Sequence, residues 1–247
     1  MRVILTRQPA QAGQIEAGLE QLGYRIGFLP LTDFQLPEDL TPLDEMVTGL
    51  HHGAWDRVLF TSPNTIRALV ARGWHPANTE AHTTIAVTGP GTARVLHEHG
   101  ATSTPWMPAN DASADGILAQ FPPGPGRLAL PQGNAAGHAM TIGLSQRGWE
   151  VTHVVAYHTV NYPAVADRAL LPAHSDVLTC ENLTADDVVV LTAPSAARRW
   201  AETAVTVAAL IAIGQPTRRA AEHHDIALAA TAPSPDAQGI AQVLERL

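Results

Sequence analysis

A strand–turn–helix segment occurs twice in this 247-residue chain, and that repetition limits the possible folds more than any other feature. The first copy reads Val58-Leu59-Phe60-Thr61-Ser62-Pro63-Asn64-Thr65-Ile66-Arg67, the second Val189-Val190-Leu191-Thr192-Ala193-Pro194-Ser195-Ala196-Ala197-Arg198. Thr61 aligns with Thr192, Pro63 with Pro194 and Arg67 with Arg198, all at one offset. A second turn follows each copy: Ile85-Ala86-Val87-Thr88-Gly89-Pro90-Gly91-Thr92-Ala93-Arg94, then Ile211-Ala212-Ile213-Gly214-Gln215-Pro216-Thr217-Arg218-Arg219. Here Gly89, Thr92 and Arg94 align with Gly214, Thr217 and Arg219. Aliphatic runs that end in hydroxyl-rich turns and open helices belong to parallel α/β sheets. Two similar halves are therefore expected. Open parallel sheets take ligands beyond the carboxyl ends of their strands, so two such edges facing each other would form a cleft.

Composition narrows the function. The length suits one large domain or two of about 100–120 residues. With 45% hydrophobic and 15% charged residues the chain can bury a sizeable core. No stretch reaches the ~18–20 apolar residues of a membrane span. Met1-Arg2-Val3-Ile4-Leu5-Thr6-Arg7 passes straight into a strand, without the apolar region and small-residue cleavage site of a secretory signal. Cys180 is the single cysteine, which leaves no internal disulfide and no CxxC pair. A soluble cytoplasmic protein is expected. All 15 basic residues are arginine, so there is no lysine for a Schiff base, a pyridoxal-phosphate anchor or a Walker A loop. A formal charge of −8 argues against nucleic acid as a partner, since phosphate binding needs a dense basic face. A small acidic ligand stays open, because Arg67, Arg94, Arg198, Arg199, Arg218 and Arg219 fall in helices after the duplicated turns. Their plainer reading is solvated helix faces.

Short runs of β-branched and aliphatic residues predict strands at 2–7, 24–31, 57–62, 84–89, 102–107, 127–132, 151–160, 188–192, 209–214 and 226–231. Helical patterns lie between them, as in Ala12, Ile15, Leu19 and Leu22, whose spacing of three, four and three marks one face. Asp236 and Ser195 are expected as N-caps, and Gly73 and Gly148 as helix stops. Residues 57–155 supply about five strands, a complete flavodoxin-like sheet, whereas the C-terminal half supplies three. The strands at 2–7 and 24–31 would complete it. The fold class expected is thus α/β, two doubly wound parallel-sheet (flavodoxin-like) domains joined by a two-stranded linker. Residues 1–33 and 161–247 form the first and residues 36–158 an inserted second, with crossings near Pro30–Pro37 and Ala156–Pro163. A double crossing of this kind acts as a hinge. Residues 38–53 are read as a loop and helix at the entry to the inserted domain.

The ordered set of motifs resembles the uroporphyrinogen-III synthase family. It comprises Leu5-Thr6-Arg7, the Thr61-Ser62-Pro63 turn, the Gly89-Pro90-x-Thr92-Ala93 turn, Tyr157-x-Thr159 at the return crossing, Thr192-x-Pro194-Ser195 and Gly214-x-x-Thr217. The likeness runs from Arg2 to Leu247. It implies a cofactor-free lyase of tetrapyrrole (heme) biosynthesis, monomeric and without metal. The substrate it implies is hydroxymethylbilane, a linear tetrapyrrole with eight carboxylates. Loss of the terminal hydroxyl gives an azafulvene, which attacks the far ring at a substituted carbon. The spiro intermediate then breaks and recloses with ring D inverted.

On that resemblance Tyr157 is the candidate catalytic acid, a phenol that stays protonated at neutral pH and can donate to the departing hydroxyl. A tyrosine that only packs at the crossing is the alternative. His158 would point to the opposite face of the strand, and Tyr162 is the competing phenol. Ser62, Asn64, Thr92, Ser195 and Thr217 are candidate substrate-binding residues, alongside the N–H groups of helix starts, which are ready anion sites. Ordinary capping uses the same residue types. Gly89 and Gly214 would let a ligand approach the backbone closely.

Three departures from the family pattern stand out. Ala193 replaces a common serine, Gln215 a common proline, and Pro131-Gln132-Gly133 stands where an arginine–glycine pair is frequent. Other constellations point elsewhere only weakly. In Gly89-Pro90-Gly91-Thr92-Ala93-Arg94, Arg94 occupies the third glycine position of a dinucleotide fingerprint. His51-His52, His97-x-His99 and His223-His224 splay apart on helices rather than converge on a metal. There is no Gly-x-Ser-x-Gly elbow. The rival of another class is a non-catalytic two-domain module that binds a small anion or regulates.

Overall fold

The computed structural model describes residues 1–79, 81–109 and 113–247. Among these the strands, in chain order, are β1 (Arg2–Leu5), β2 (Arg25–Phe28), β3 (Thr32–Gln35), β4 (Arg57–Phe60), β5 (Thr84–Val87), β6 (Gly126–Gly133), β7 (Trp149–Asn161), β8 (Asp187–Leu191), β9 (Ala209–Ala212) and β10 (Ala230–Thr231). The α-helices are α1 (Gln14–Gln21), α2 (Thr41–His51), α3 (Pro63–Ala71), α4 (Pro76–Thr79), α5 (Pro90–Glu98), α6 (Ala114–Gln120), α7 (Ala139–Gln146), α8 (Pro194–Trp200), α9 (Gln215–His223) and α10 (Ala237–Leu244). Two compact units result. The first comprises Met1–Asp33, Val160–Ala164 and Leu171–Leu247, the second Phe34–Thr159 and Val165–Leu170.

In the first unit the sheet order is β10-β9-β8-β1-β2, parallel at every pairing. Counted within the unit this is the flavodoxin order, 2-1-3-4-5. Both faces are covered, which is why Val188–Leu191 reads as an unbroken aliphatic run rather than an alternating one. Val3, Leu5, Val188, Val190 and Ile211 pack on one face with Leu19 of α1 and Ile240, Ala241 and Leu244 of α10. Ile4, Val189 and Leu191 pack on the other with Ala197 and Trp200 of α8 and Ala221 of α9. Full burial of each Val, Leu or Ile among them contributes roughly 1.5–3 kcal/mol. An ion pair closes the amino edge: Arg2 donates Nε to Asp187 Oδ1 at 2.9 Å and Nη2 to Oδ2 at 2.8 Å. The Thr184 amide adds a third bond to Oδ2.

The second unit's sheet runs β3-β7-β6-β4-β5. The pairs β4–β5, β4–β6 and β6–β7 are parallel. Val58, Phe60, Ile85, Val87, Ala129 and Ala156 face α2, α3 and α5, with Trp74 against Phe60 at 5.0 Å. Leu59, Ala86, Leu128 and Leu130 face α6 and α7. Counting from β4, the order 2-1-3-4 is kept, and β3 fills the fifth seat although it comes first in the chain.

The fold class is the one expected, and the differences have local causes. The strand expected at 102–107 reduces to one parallel bridge, Ala86 to Trp106, because Pro105 and Pro108 flank Trp106 and give no N–H to a ladder. The expected strand at 24–31 ends at Phe28, and a separate β3 begins after Pro30. β10 is two residues long, shorter than expected, since Ile226 and Leu228 pack with Val205 and Val207 instead. Residues 38–53 contain the eleven-residue α2, preceded by a short loop as expected. Val165–Leu170, which the sequence places with the first domain, returns to the second unit. There Leu36 N donates to Arg168 O at 2.8 Å and Leu170 N to Phe34 O at 2.9 Å. α6 begins at Ala114, capped by Ser113, whose side chain accepts from Gly116 N. Asp236 caps α10 by accepting from Gly239 N.

Candidate active site

In each unit the sheet reverses its building direction beside one strand, β1 with β8 and β4 with β6, and such switch points are where open α/β sheets bind ligands. The second unit's switch carries the phenol. Tyr157 lies on β7, 9% exposed, with Phe34 edge-on at 5.7 Å. Its hydroxyl donates to Ser62 Oγ at 3.3 Å. Two features of the backbone aim it there. The β6–β7 register slips between Gln132 and Gly133, so that Gln132 pairs with Val155 and Gly133 with Tyr157. The extra residue, Ala156, makes a bulge of the sort that re-aims a side chain, and both Ala156 and Tyr157 join one core cluster. Gly133 then leaves room for the ring: a Cβ there would sit 2.6 Å from Tyr157 Cζ and 2.8 Å from its hydroxyl. Burial raises the phenol above its ordinary value, only partly offset by the bond to Ser62, so it stays a proton donor throughout the neutral range.

Ser62 is the N-cap of α3, with its Oγ accepting from Asn64 N at 3.1 Å. Asn64 is buried, and its Oδ1 accepts from Arg67 Nη1 at 2.9 Å; that oxygen is already occupied within the helix. Gly89 precedes α5 with extended backbone and no side-chain cap, so it supplies bare amides rather than an unusual conformation. Thr92 is 4% exposed, so its side chain offers little surface to a ligand.

In the first unit the hydroxyls at the switch hold the strands together. Thr192 N donates to Thr6 Oγ1 at 3.0 Å, and Thr6 Oγ1 lies 3.1 Å from Val190 O and 3.3 Å from Thr192 Oγ1. Ala193, not Ser195, occupies the N-cap of α8, without a side-chain bond. The repeat explains this: Ser62 aligns with Ala193, and Ser195 with Asn64. Ser195 sits half-buried in the first turn. Beside it a hollow of ≈ 670 Å³ is lined by Thr192, Pro194, Gly214, Gln215, Thr217 and Arg218 among others. Gly214 precedes α9 uncapped, and an added Cβ there would meet nothing nearer than Pro216 Cδ at 4.0 Å. Thr217 lines the hollow although only 2% exposed. Tyr162, the competing phenol, belongs to this unit, and its pKa is raised by burial and by Asp33.

Arg94 and Arg218 pair with Glu98 and Glu222 on their own helices, and Arg199 with Glu202 just past the end of α8, the solvated-face reading. Among the described residues no group of three or more His, Cys, Asp or Glu side chains is placed to hold a metal ion, and no helix is long and apolar enough to cross a membrane.

Two further residues of this edge leave little trace in the sequence. Gly133 matters through the bulge opposite it, and bulges leave no local pattern. Gln132 is buried at the end of β6 and lines a cavity there; besides the departure Pro131-Gln132-Gly133 noted above, its signal is a polar amide closing the apolar run Leu128-Ala129-Leu130-Pro131.

The family model described as uroporphyrinogen-III synthase HemD matches residues 13–242. Over 232 residues the chain is 29% identical to the protein named uroporphyrinogen-III synthase, chloroplastic, of Oryza sativa subsp. japonica, covering 89% of this chain and 72% of that one. Its fold is shared with the uroporphyrinogen-III synthetase of Helicobacter pylori 26695 (TM-score 0.64, 14% identity, 100% and 99% of the two chains covered). The same holds for a mutant uroporphyrinogen III synthase of the extremely thermophilic bacterium Thermus thermophilus (TM-score 0.59, 17% identity, both chains fully covered). The chain belongs to the uroporphyrinogen-III synthase family.

Proposed function

We propose that this protein is a cyclising lyase that closes hydroxymethylbilane with inversion of ring D, giving uroporphyrinogen III. The observation that carries this reading is the family match across residues 13–242. Tyr157 is the general acid in this proposal. Its hydroxyl donates to Ser62 Oγ at 3.3 Å, and the proton passes to the departing hydroxyl once substrate takes the place of Ser62 as acceptor. The helix starts after Ser62, Gly89 and Gly214, with Asn64, Thr92, Ser195 and Thr217 around them, engage acetate and propionate carboxylates. Each such anion contact is worth about 0.3–1 kcal/mol in exposed sites. Burial of Thr92 and occupation of Asn64 Oδ1 shift the weight in the second unit to backbone amides. Holding both ends of the bilane in an attack geometry can contribute ~7–11 kcal/mol in favourable intramolecular cases, and it also decides which carbon is attacked. The enzyme works as a monomer in the cytoplasm, without metal or organic cofactor and without a nucleic-acid partner; the charge of −8 supports the last point.

A coupled assay tests this. Hydroxymethylbilane is supplied, and type III and type I uroporphyrinogen are resolved by chromatography. Predominant type III is expected, and the uncatalysed ratio would leave only an anion-binding module. Light scattering of the purified protein checks the monomer.

A further inference from the structure

Six arginines follow the duplicated turns, and the structure separates one of them from the rest. Arg94, Arg198, Arg218 and Arg219 are exposed, and Arg199, though half-buried, is paired with Glu202. Arg67 is half-buried and takes part in no ion pair among the described residues. Its guanidinium turns back along α3, where Nη1 donates to Asn64 Oδ1 at 2.9 Å. Asn64 is the second residue of that helix and is 5% exposed, so the charge is held at the helix start. Arg198, which occupies the same position in the repeat, faces solvent.

This is an unfavourable place for a lone cation. Taking a charge out of water is costly unless a counter-charge meets it, and the start of a helix favours anions over cations. Burial lowers the Arg67 pKa, Glu98 attracts the charge and Arg94 repels it. Glu98 bonds to Arg94 instead. His99 is affected in turn: burial first, and then Arg67, lower its pKa. An anion beside Arg67 would relieve every one of these effects.

Donor geometry indicates which anion. A guanidinium carries five N–H groups in one plane; one donates to Asn64, and the others have no acceptor among the described residues. The remaining fork matches a planar carboxylate through two parallel bonds. Asn64 also links the cation to the phenol, since Asn64 N donates to Ser62 Oγ at 3.1 Å and that oxygen accepts from Tyr157 at 3.3 Å. Cation and acid thus belong to one hydrogen-bonded turn.

We infer that Arg67 is the charged anchor of this edge, forming a two-bond ion pair with one carboxylate of the substrate while Asn64 holds the guanidinium in place. The inference rests on the proposed function for the identity of that acid. Its plainer rival, a side chain that only satisfies the buried amide of Asn64, needs a donor but no charge.

The test uses the full-length protein and Arg67→Gln, which loses the charge but keeps an N–H within i,i+3 reach of Asn64. With hydroxymethylbilane, KM should rise about tenfold or more, the scale of one charge-assisted bond, with kcat within about twofold and the product still type III. Arg198→Gln should leave KM and kcat as they are. An unchanged KM in folded Arg67→Gln would overturn the inference. A second measurement needs no variant to fold. A monopyrrole bearing one acetate and one propionate is titrated into the wild type while the Arg67 Nε–H resonance is followed by NMR. A shift is expected with the diacid and none with its dimethyl ester, and inorganic phosphate should bind about tenfold more weakly. An unmoved Arg67 signal, or an equal response to the ester or to phosphate, overturns the anchor. The isomer assay separates this from the parent reading. Type III product with Arg67 unmoved removes the anchor alone. A background isomer ratio with Arg67 still shifted by the diacid keeps the carboxylate site and removes the synthase.

Discussion

At the end of β4, Ser62 caps α3 and accepts the Tyr157 hydroxyl; at the end of β8, Ala193 stands in the same place and does neither. The backbones of the two turns repeat, with extended φ of −157° at Ser62 and −159° at Ala193, yet the chemistry around them has diverged. The second unit's edge is narrow, polar and holds a phenol above a bulge. The first unit's edge is wider, at ≈ 670 Å³ against ≈ 280 Å³, and lined by Pro194, Pro216, Pro233 and Pro235. A duplicated fold preserves the parts that build the sheet, while side chains at the strand ends are free to specialise. On the proposed function, proton transfer belongs to the second edge and bulk holding of carboxylates to the first.

The strongest way to break this division is Tyr157→Phe. Turnover should fall by ~10²–10⁴, the usual scale for a lost general acid, with circular dichroism unchanged. Burial holds the Tyr157 phenol above its ordinary 10.0, so wild-type kcat should stay level from neutral to beyond pH 10 and drop as the proton is lost. The raised value also means that this residue supports the fold below pH 10 and ceases to as pH climbs through its folded-state value. An alkaline drop in kcat that persists in Tyr157→Phe would assign the acid elsewhere.

Gly133→Ala comes next. A methyl 2.6 Å from Tyr157 Cζ forces the ring aside. Overpacking of this kind costs about 1–3 kcal/mol, and a displacement of about 1 Å can lower turnover up to ~10²-fold. Denaturant melts and steady-state kinetics read the two effects separately; unchanged kcat would mean that Tyr157 needs no exact seat.

Asp187→Asn probes the first unit through stability alone. It removes a bidentate partner of Arg2, a loss of about 1–3 kcal/mol seen in urea melts, with the isomer ratio untouched. Hydrogen bonding to Arg2 keeps Asp187 below its ordinary 3.8. Its contribution is therefore complete above that value and disappears as pH falls through the lower, folded-state one. Acid unfolding should start at higher pH in the variant.

Smallest is Ala193→Ser, which restores the cap that Ser62 provides in the other copy. A gain of about 1 kcal/mol, or ~2–4 °C in Tm, is expected with no change in kcat. A large change in kcat would show that the missing hydroxyl is itself part of the division between the edges.

Much of the architecture is legible because buried parallel strands announce themselves. Val188–Leu191 and Val58–Phe60 are uniformly apolar, and each is followed by a turn that opens a helix. What stays hidden has local reasons. β3, Thr-Asp-Phe-Gln, is polar yet buried, because Asp33 and Gln35 accept from the amides of Ala164 and Val165 far along the chain. The strand expected around Trp106 rests on apolar content that its flanking prolines cannot turn into a ladder. Among site residues, Tyr157 and Ser62 are legible as chemistry, but their contact is not, because it depends on the register slip at Ala156. Ser195 reads as a cap because serine is a good one; the offset of the repeat, followed strictly, points to Ala193.

Leu36 and Leu170 hydrogen-bond to Arg168 and Phe34, so the second unit is not one uninterrupted length of chain. A fragment cut at Thr159 would leave the Leu36 amide and the Phe34 carbonyl bare at the rim of the sheet. Exchange of this half between relatives must therefore carry the Val165–Leu170 segment from beyond the main insertion, and viable recombination breakpoints will come as two linked pairs rather than one.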